Sequence, residues 1–145
     1  MRIKIQNTTW QRKALIHAAA VYFAKKLSGF RKNRIKLNIK LQPKMREKEH
    51  CRGCAYQDSS RSFRIKLDAS LKPISLIKCL AHEMIHIQQW LTGQMEDLFW
   101  TRYRVRWGKR VYYPANLTYS KHPWEIQAHK FEKDLYASWV RFWNK

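Results

Sequence analysis

Three features of the sequence predict an α+β fold. Apolar residues recur at helical spacing in three long segments, strict two-residue alternation marks shorter segments between them, and Gly or Pro stands at most of the boundaries. No internal repeat, low-complexity tract or Pro- or Ser-rich linker interrupts the pattern, so residues 1–145 are expected to form one compact domain. Its parts would be an N-terminal helix, a small mixed or antiparallel sheet of about three strands, a central helix, a basic β-hairpin and a C-terminal helix.

Thr8-Thr9-Trp10-Gln11 has the spacing of a capping box, with Thr8 as N-cap, and opens a helix that runs to about Leu27 and stops before Gly29. Ile16, Ala20, Phe23 and Leu27 share one face of it, so this helix is scaffold, with His17 at the core's edge. Ile35 to Leu41 alternates apolar and polar residues, as a strand does. The charged stretch from Gln42 to His50 then reads as a mobile loop whose Lys44, Arg46 and Lys48 are candidate phosphate contacts. Cys51 to Gln57 and Ser62 to Asp68 form a hairpin around Asp58-Ser59-Ser60-Arg61. A strand just before the central helix would offer an edge to an extended peptide.

Pro73 suits the first turn of the central helix and Gly93 its C-terminal cap. Arg102 to Trp107 alternates, Gly108 turns the chain, and Arg110 to Tyr113 returns as a second strand. Arg102, Arg104 and Arg106 then share a face, which suits either a grip on phosphates or an edge that discourages pairing. The last helix begins at Pro123 and runs to about Trp143.

Thirty Lys and Arg against ten Asp and Glu give a formal charge of +20. Such a chain repels itself unless anions are near, and nucleic acid is the partner the charge points to. Solubility, or attraction to acidic proteins or membranes, are the other readings. Trp100, Tyr103 and Trp107, interleaved with arginines, are candidate stacking platforms for unpaired bases. No run of about 18 apolar residues is present for a membrane span, and the first residues lack a signal core. With three cysteines, an odd number for a disulfide framework, a cytoplasmic protein without a membrane partner is expected. Cys51 and Cys54 form a single C-x-x-C beside His50, read as a pair of half-buried thiols or, alternatively, as part of a second metal site.

The residues that carry chemistry lie in the central helix. His82-Glu83-Met84-Ile85-His86 places two imidazoles one turn apart with a carboxylate beside the first, the H-E-x-x-H arrangement of catalytic zinc sites. Its neighbours are apolar, Leu80, Ala81, Met84, Ile85 and Ile87 among them, and polar groups buried there need a partner. A Zn2+ ion would supply one. Catalytic zinc takes three protein ligands and leaves a position open, so a third must come from downstream. Glu96, Asp97, His122, Glu125, His129, Glu132 and Asp134 are available; Glu96 and Asp97 follow Gly93 too closely to fold back easily. Glu125 is preferred because it starts a helix and completes a His₂Glu set, with His129 one turn on as its partner or as the alternative ligand.

Leu80 to His86, followed by Gln89, Gly93, Trp107-Gly108 and Pro123 to Ala128, resembles the small SprT-like zinc metallopeptidases, particularly the compact bacteriophage forms. Glu125, Ala128 and Phe131 are similar to the third-ligand helix of ImmA-type peptidases and other gluzincins. The resemblance covers about residues 50 to 135. It implies a zincin-like domain, His82, His86 and Glu125 as metal ligands, Glu83 as catalytic base, and, for a phage-encoded chain, the host cytoplasm. The expected function is zinc-dependent endopeptidase activity near nucleic acid or on nucleic-acid-bound proteins, with a donor to the tetrahedral oxyanion among Tyr112, Tyr113, Tyr119 and His122. The alternative is a basic nucleic-acid-binding protein whose zinc is structural and which hydrolyses nothing.

Overall fold

The structure is a computed structural model that describes residues 1–31, 34–99 and 102–145. It is an α+β fold in which two sheets flank a central helix. The first sheet has four strands rather than about three, because the alternation Ile3, Ile5 against Arg2, Lys4 already forms β1 (Arg2–Gln6). Asn7 turns left-handed after it (φ 64°), which delays the first helix by one residue. Thr9, not Thr8, therefore caps α1 (Trp10–Lys26), its hydroxyl accepting the Arg12 N–H at 3.3 Å. His17 is exposed on α1, outside the core.

β2 (Lys36–Gln42) lies between β1 and β4 (Ser62–Asp68), parallel to both, and β3 (Gly53–Ser59) pairs antiparallel with β4 on the outside. The strand immediately before the central helix is thus interior. Of the sheet's two edges, β1 and β3, the one beside the cavity is β3, the first strand of that hairpin, because the chain crosses from β2 to β3 before returning inward. Leu37, Ile39, Leu41, Phe63, Ile65 and Leu67 all face one side and are buried against Ile16 and Phe23 of α1 and Leu76 and Leu80 of the central helix α3 (Pro73–Leu91). Period two on the strands and period 3.6 on the helices put these residues on facing surfaces.

The charged stretch after β2 is not a mobile loop. Residues Met45–Glu49 form a short helix, α2, bracketed by Lys44 and His50 in left-handed conformation (φ 56° and 57°). Met45 is fully buried, and Asp68 ties the segment down: its carboxylate accepts the Arg46 N–H at 3.1 Å and the Ser70 N–H and hydroxyl at 2.8 and 2.7 Å. One buried apolar side chain and one buried carboxylate outweigh the charge of the segment.

Pro73 occupies the first turn of α3, and Gly93 follows its end at φ 75°, as the sequence suggests, although Ile74 is exposed rather than part of the apolar face. The chain then folds back at once into β5 (Met95–Leu98), which pairs with β6 (Arg104–Trp107), itself paired with β7 (Arg110–Tyr112). Asp97 is therefore brought back to the cavity despite its nearness to Gly93, while Glu96, on the opposite face of β5, points away to Arg106. Met95, Val105 and Trp124 form a second small core with Trp107 packed on it. Two short 3₁₀ turns, Pro114–Asn116 and Tyr119–Lys121, lead into α4 (Pro123–Trp143). No helix among the described residues is long and apolar enough to cross a membrane.

Candidate metal centre

α3 and α4 pack side by side, and their facing residues make the centre. His82 and His86, one turn apart, point Nε2 atoms at a common place, 3.2 Å from each other. Glu125, in the first turn of α4, sets Oε1 at 2.9 Å from His82 Nε2 and 3.1 Å from His86 Nε2. Two ligand atoms held tetrahedrally at about 2.0–2.1 Å from zinc stand about 3.3–3.4 Å apart, so a slight spreading of the triangle accommodates one ion. His82, Glu125 and His129 also have ligand atoms within 4.8 Å of one another. The triangle closed by His86 is tighter, and His129 is half-exposed with both ring nitrogens already engaged: Nδ1 with Glu132 Oε1 at 3.0 Å and Nε2 near the Tyr119 hydroxyl at 3.5 Å.

The far sides of the imidazoles fix their tautomers. His82 Nδ1–H donates to Glu132 Oε2 at 3.0 Å, and His86 Nδ1–H donates to Gln89 Oε1 at 2.8 Å. Gln89 is held in that orientation because its amide N–H groups donate to the Trp124 carbonyl and to Gln127 Oε1, both at 3.0 Å. Both Nε2 lone pairs then face the Glu125 carboxylate, three acceptors around one point. Such a cluster demands a cation or protons.

The protonation equilibria express the same demand. Burial lowers the His82 pKa, yet the hydrogen-bonded carboxylates of Glu125 and Glu132 overcome it and carry the group up to about 10. Burial likewise opposes the upward shift of His86, which the Glu125 hydrogen bond and the Glu83 charge produce. Glu125 moves the other way: against burial, the two imidazoles and Tyr119 hold it well below the usual carboxylate range. The donor set thus fits a divalent ion.

Glu83 sits beside this triangle, buried, with its pKa raised by burial and further by Glu125 and Glu132, while His86 and His82 pull it back. A carboxylate whose pKa is raised is a stronger base than an ordinary one. Gly53 of β3 passes directly above it: a Cβ there would stand 3.3 Å from Glu83 Oε1 and 2.5 Å from Cys79 Sγ. The whole lies in an open cavity of about 1140 Å³, walled by β3 on one side and by Met95, Asp97 and Tyr103 on the other.

Of the four oxyanion donors suggested by sequence, only Tyr119 reaches the centre. Its hydroxyl donates to Glu125 Oε1 at 2.8 Å, and burial, then the Glu125 hydrogen bond and charge, push its pKa up, so it stays a donor. His122 is spent on the Pro114 carbonyl at 3.0 Å and stacks on Trp124. Tyr112 packs edge-on to Trp124, and Tyr113 lies under the Arg102 guanidinium at 4.5 Å.

The basic row is likewise tied into the protein. Arg106 binds Glu96 at 3.2 Å and the Gly93 and Gly108 carbonyls, because β5–β6 pairing sets Glu96 opposite it; Arg102 donates to Asn116 Oδ1; Arg104 is half-buried. Lys44, Arg46 and Lys48 remain exposed around α2, with Arg46 on the cavity rim. Trp107 is half-buried and Tyr103 is exposed and stacked on Phe99; Trp100 lies outside the described residues.

Three participants were not read from sequence in these roles. Glu132 serves His82 rather than an ion, and its spacing of three from His129 and seven from Glu125 marks that shared face. Gln89 stands three residues after His86 on the same turn. Asp97 is carried back by β5 to the cavity wall, where burial raises its pKa and Tyr103 donates to it at 3.2 Å. Compared with protein-family models, with curated proteins and with solved structures, the chain gives no match.

Proposed function

We propose that this chain is a zinc-dependent endopeptidase of the SprT-like, zincin-like kind. The observation that carries the reading is the convergence of His82 Nε2, His86 Nε2 and Glu125 Oε1 within 2.9–3.2 Å, next to a buried Glu83, in a cavity open to solvent. Zinc, when bound by these three, supplies Lewis acidity that polarises a carbonyl and lowers the pKa of water to about 7.

The protein groups supply the rest. Glu83 takes a proton from the attacking water and passes it to the leaving amine, work suited to a carboxyl whose pKa is raised by burial. Tyr119, whose hydroxyl now donates to Glu125 Oε1, is the donor for the oxyanion. Glu132 and Gln89 hold the imidazoles in the tautomer that leaves Nε2 unprotonated. The exposed edge of β3 aligns an extended substrate by main-chain hydrogen bonds, which favours accessible chain over particular side chains.

Glu83→Gln tests the assignment, because the amide keeps size and polarity and loses the proton acceptor. Cleavage of an unfolded protein substrate should fall about 10²- to 10⁴-fold at unchanged zinc content. A variant that cuts as fast as the parent rules the mechanism out. The charge of +20 favours a second reading, a nucleic-acid-binding protein in which zinc merely holds α3 to α4. Under it, Glu83→Gln changes nothing and removing zinc unfolds the protein.

A further inference from the structure

The C-x-x-C at the start of β3 takes no part in the chemistry above, yet it lies on the rim of the same cavity. Cys51 and Cys54 bring their sulfurs to 3.0 Å, and the carboxylate of Glu49, at the end of α2, joins them so that the three ligand atoms lie within 4.8 Å of one another. We propose that Glu49, Cys51 and Cys54 form a second metal site, for a thiophilic divalent ion such as zinc, that clips the end of α2 to the start of β3.

The donor set points to a metal rather than to a disulfide. The sulfurs stand well beyond the about 2.05 Å of an S–S bond, and a disulfide gives no reason for a carboxylate to join them. Two thiolates on a tetrahedral zinc, at about 2.3 Å each, stand about 3.7 Å apart. Small side-chain rotations of two half-exposed cysteines provide the difference. Left-handed His50 turns the chain between Glu49 and Cys51, so residues two apart in sequence face one point.

Charge balances in the bound form. Each thiol releases its proton to solvent, and two thiolates with one carboxylate exceed the ion by one negative charge. The Lys66 ammonium, 3.8 Å from Glu49 Oε1, offsets it. The clip matters for the neighbouring centre because Gly53, between the two cysteines, is the backbone that covers Glu83 and Cys79.

Cobalt(II) and zinc titrations under reducing conditions decide the matter. Wild type should bind two equivalents of zinc and, with cobalt, develop the near-ultraviolet thiolate-to-cobalt band that a His₂Glu site cannot give. Cys51→Ser/Cys54→Ser should bind one equivalent and lose the band, whereas His82→Ala/His86→Ala should keep it. Glu49→Gln leaves both sulfurs in place and should weaken cobalt binding at the band at least tenfold. Absence of the band from folded wild type overturns the proposal, as does a count of one reactive thiol that reductant restores to three. Because the band reports sulfur alone, failure of the His₂Glu assignment would lower each zinc count by one and leave the band unchanged.

Discussion

At the residue scale, the centre depends on side chains outside the His82–His86–Glu125 triangle. Glu132 accepts from His82 Nδ1 and so sets which nitrogen is left bare. Glu132→Gln keeps a hydrogen-bond acceptor and removes the charge; zinc affinity should fall about 10- to 100-fold with circular dichroism unchanged. Unaltered affinity in competition with a chelator would show that Glu132 serves His129 or packing instead. The two histidines and Glu83 are legible in sequence because one helical turn fixes them locally. Glu125 is legible because a helix start aims it. Glu132, Gln89 and Tyr119 require the packing of α3 on α4, which spacing alone does not report, and the same packing diverts Tyr112, Tyr113 and His122 to other partners.

At the scale of elements, long periodic segments and the short β6–β7 hairpin, marked by Gly108, are legible in sequence, while β1, β5 and α2 are not. α3, α4 and the β3–β4 hairpin each carry many residues of one period with Gly, Pro or Ser at the ends. β1 and β5 span five and four residues, too few for alternation to stand out, and α2 is hidden by its charges. What holds α2 is Asp68. Burial alone would raise its pKa, but the hydrogen bonds from Ser70 and the Arg46 N–H, with the nearby Arg46 guanidinium, leave it lowered. A folded-state pKa below the unfolded one means stability that is fully present above about pH 4 and is lost as pH falls through the folded value. Asp68→Asn should flatten that part of the acid limb in urea melts, and Asp68→Ala should cost about 3 kcal/mol near neutral pH. An acid limb identical to wild type would remove Asp68 from this role.

At the scale of the whole molecule, the net charge of +20 suggests where the protein goes, while the cavity suggests what it does there. Charge is plain in sequence; its layout is not, since the arginines that alternate most regularly bind Glu96, Asn116 and main-chain carbonyls. If about six phosphates are contacted by the remaining basic groups, log affinity for nucleic acid should fall against log salt with a slope near −5. A flat response would separate the charge from nucleic acid. The edge of β3, the sheet of β5 to β7 and the α3–α4 pair meet around one opening, so the cavity beside Glu83 is built from elements that are far apart in sequence.

The central claim is that His82, His86 and Glu125 hold zinc with Glu83 left free to act. Anomalous diffraction at the zinc edge from crystals of the zinc-loaded protein tests it most directly. The account predicts a peak within about 2.0–2.2 Å of His82 Nε2, His86 Nε2 and a Glu125 oxygen, with Glu83 uncoordinated beside it. No peak between those atoms, or a peak coordinated by Glu83 or by His129 in place of His86, would contradict it.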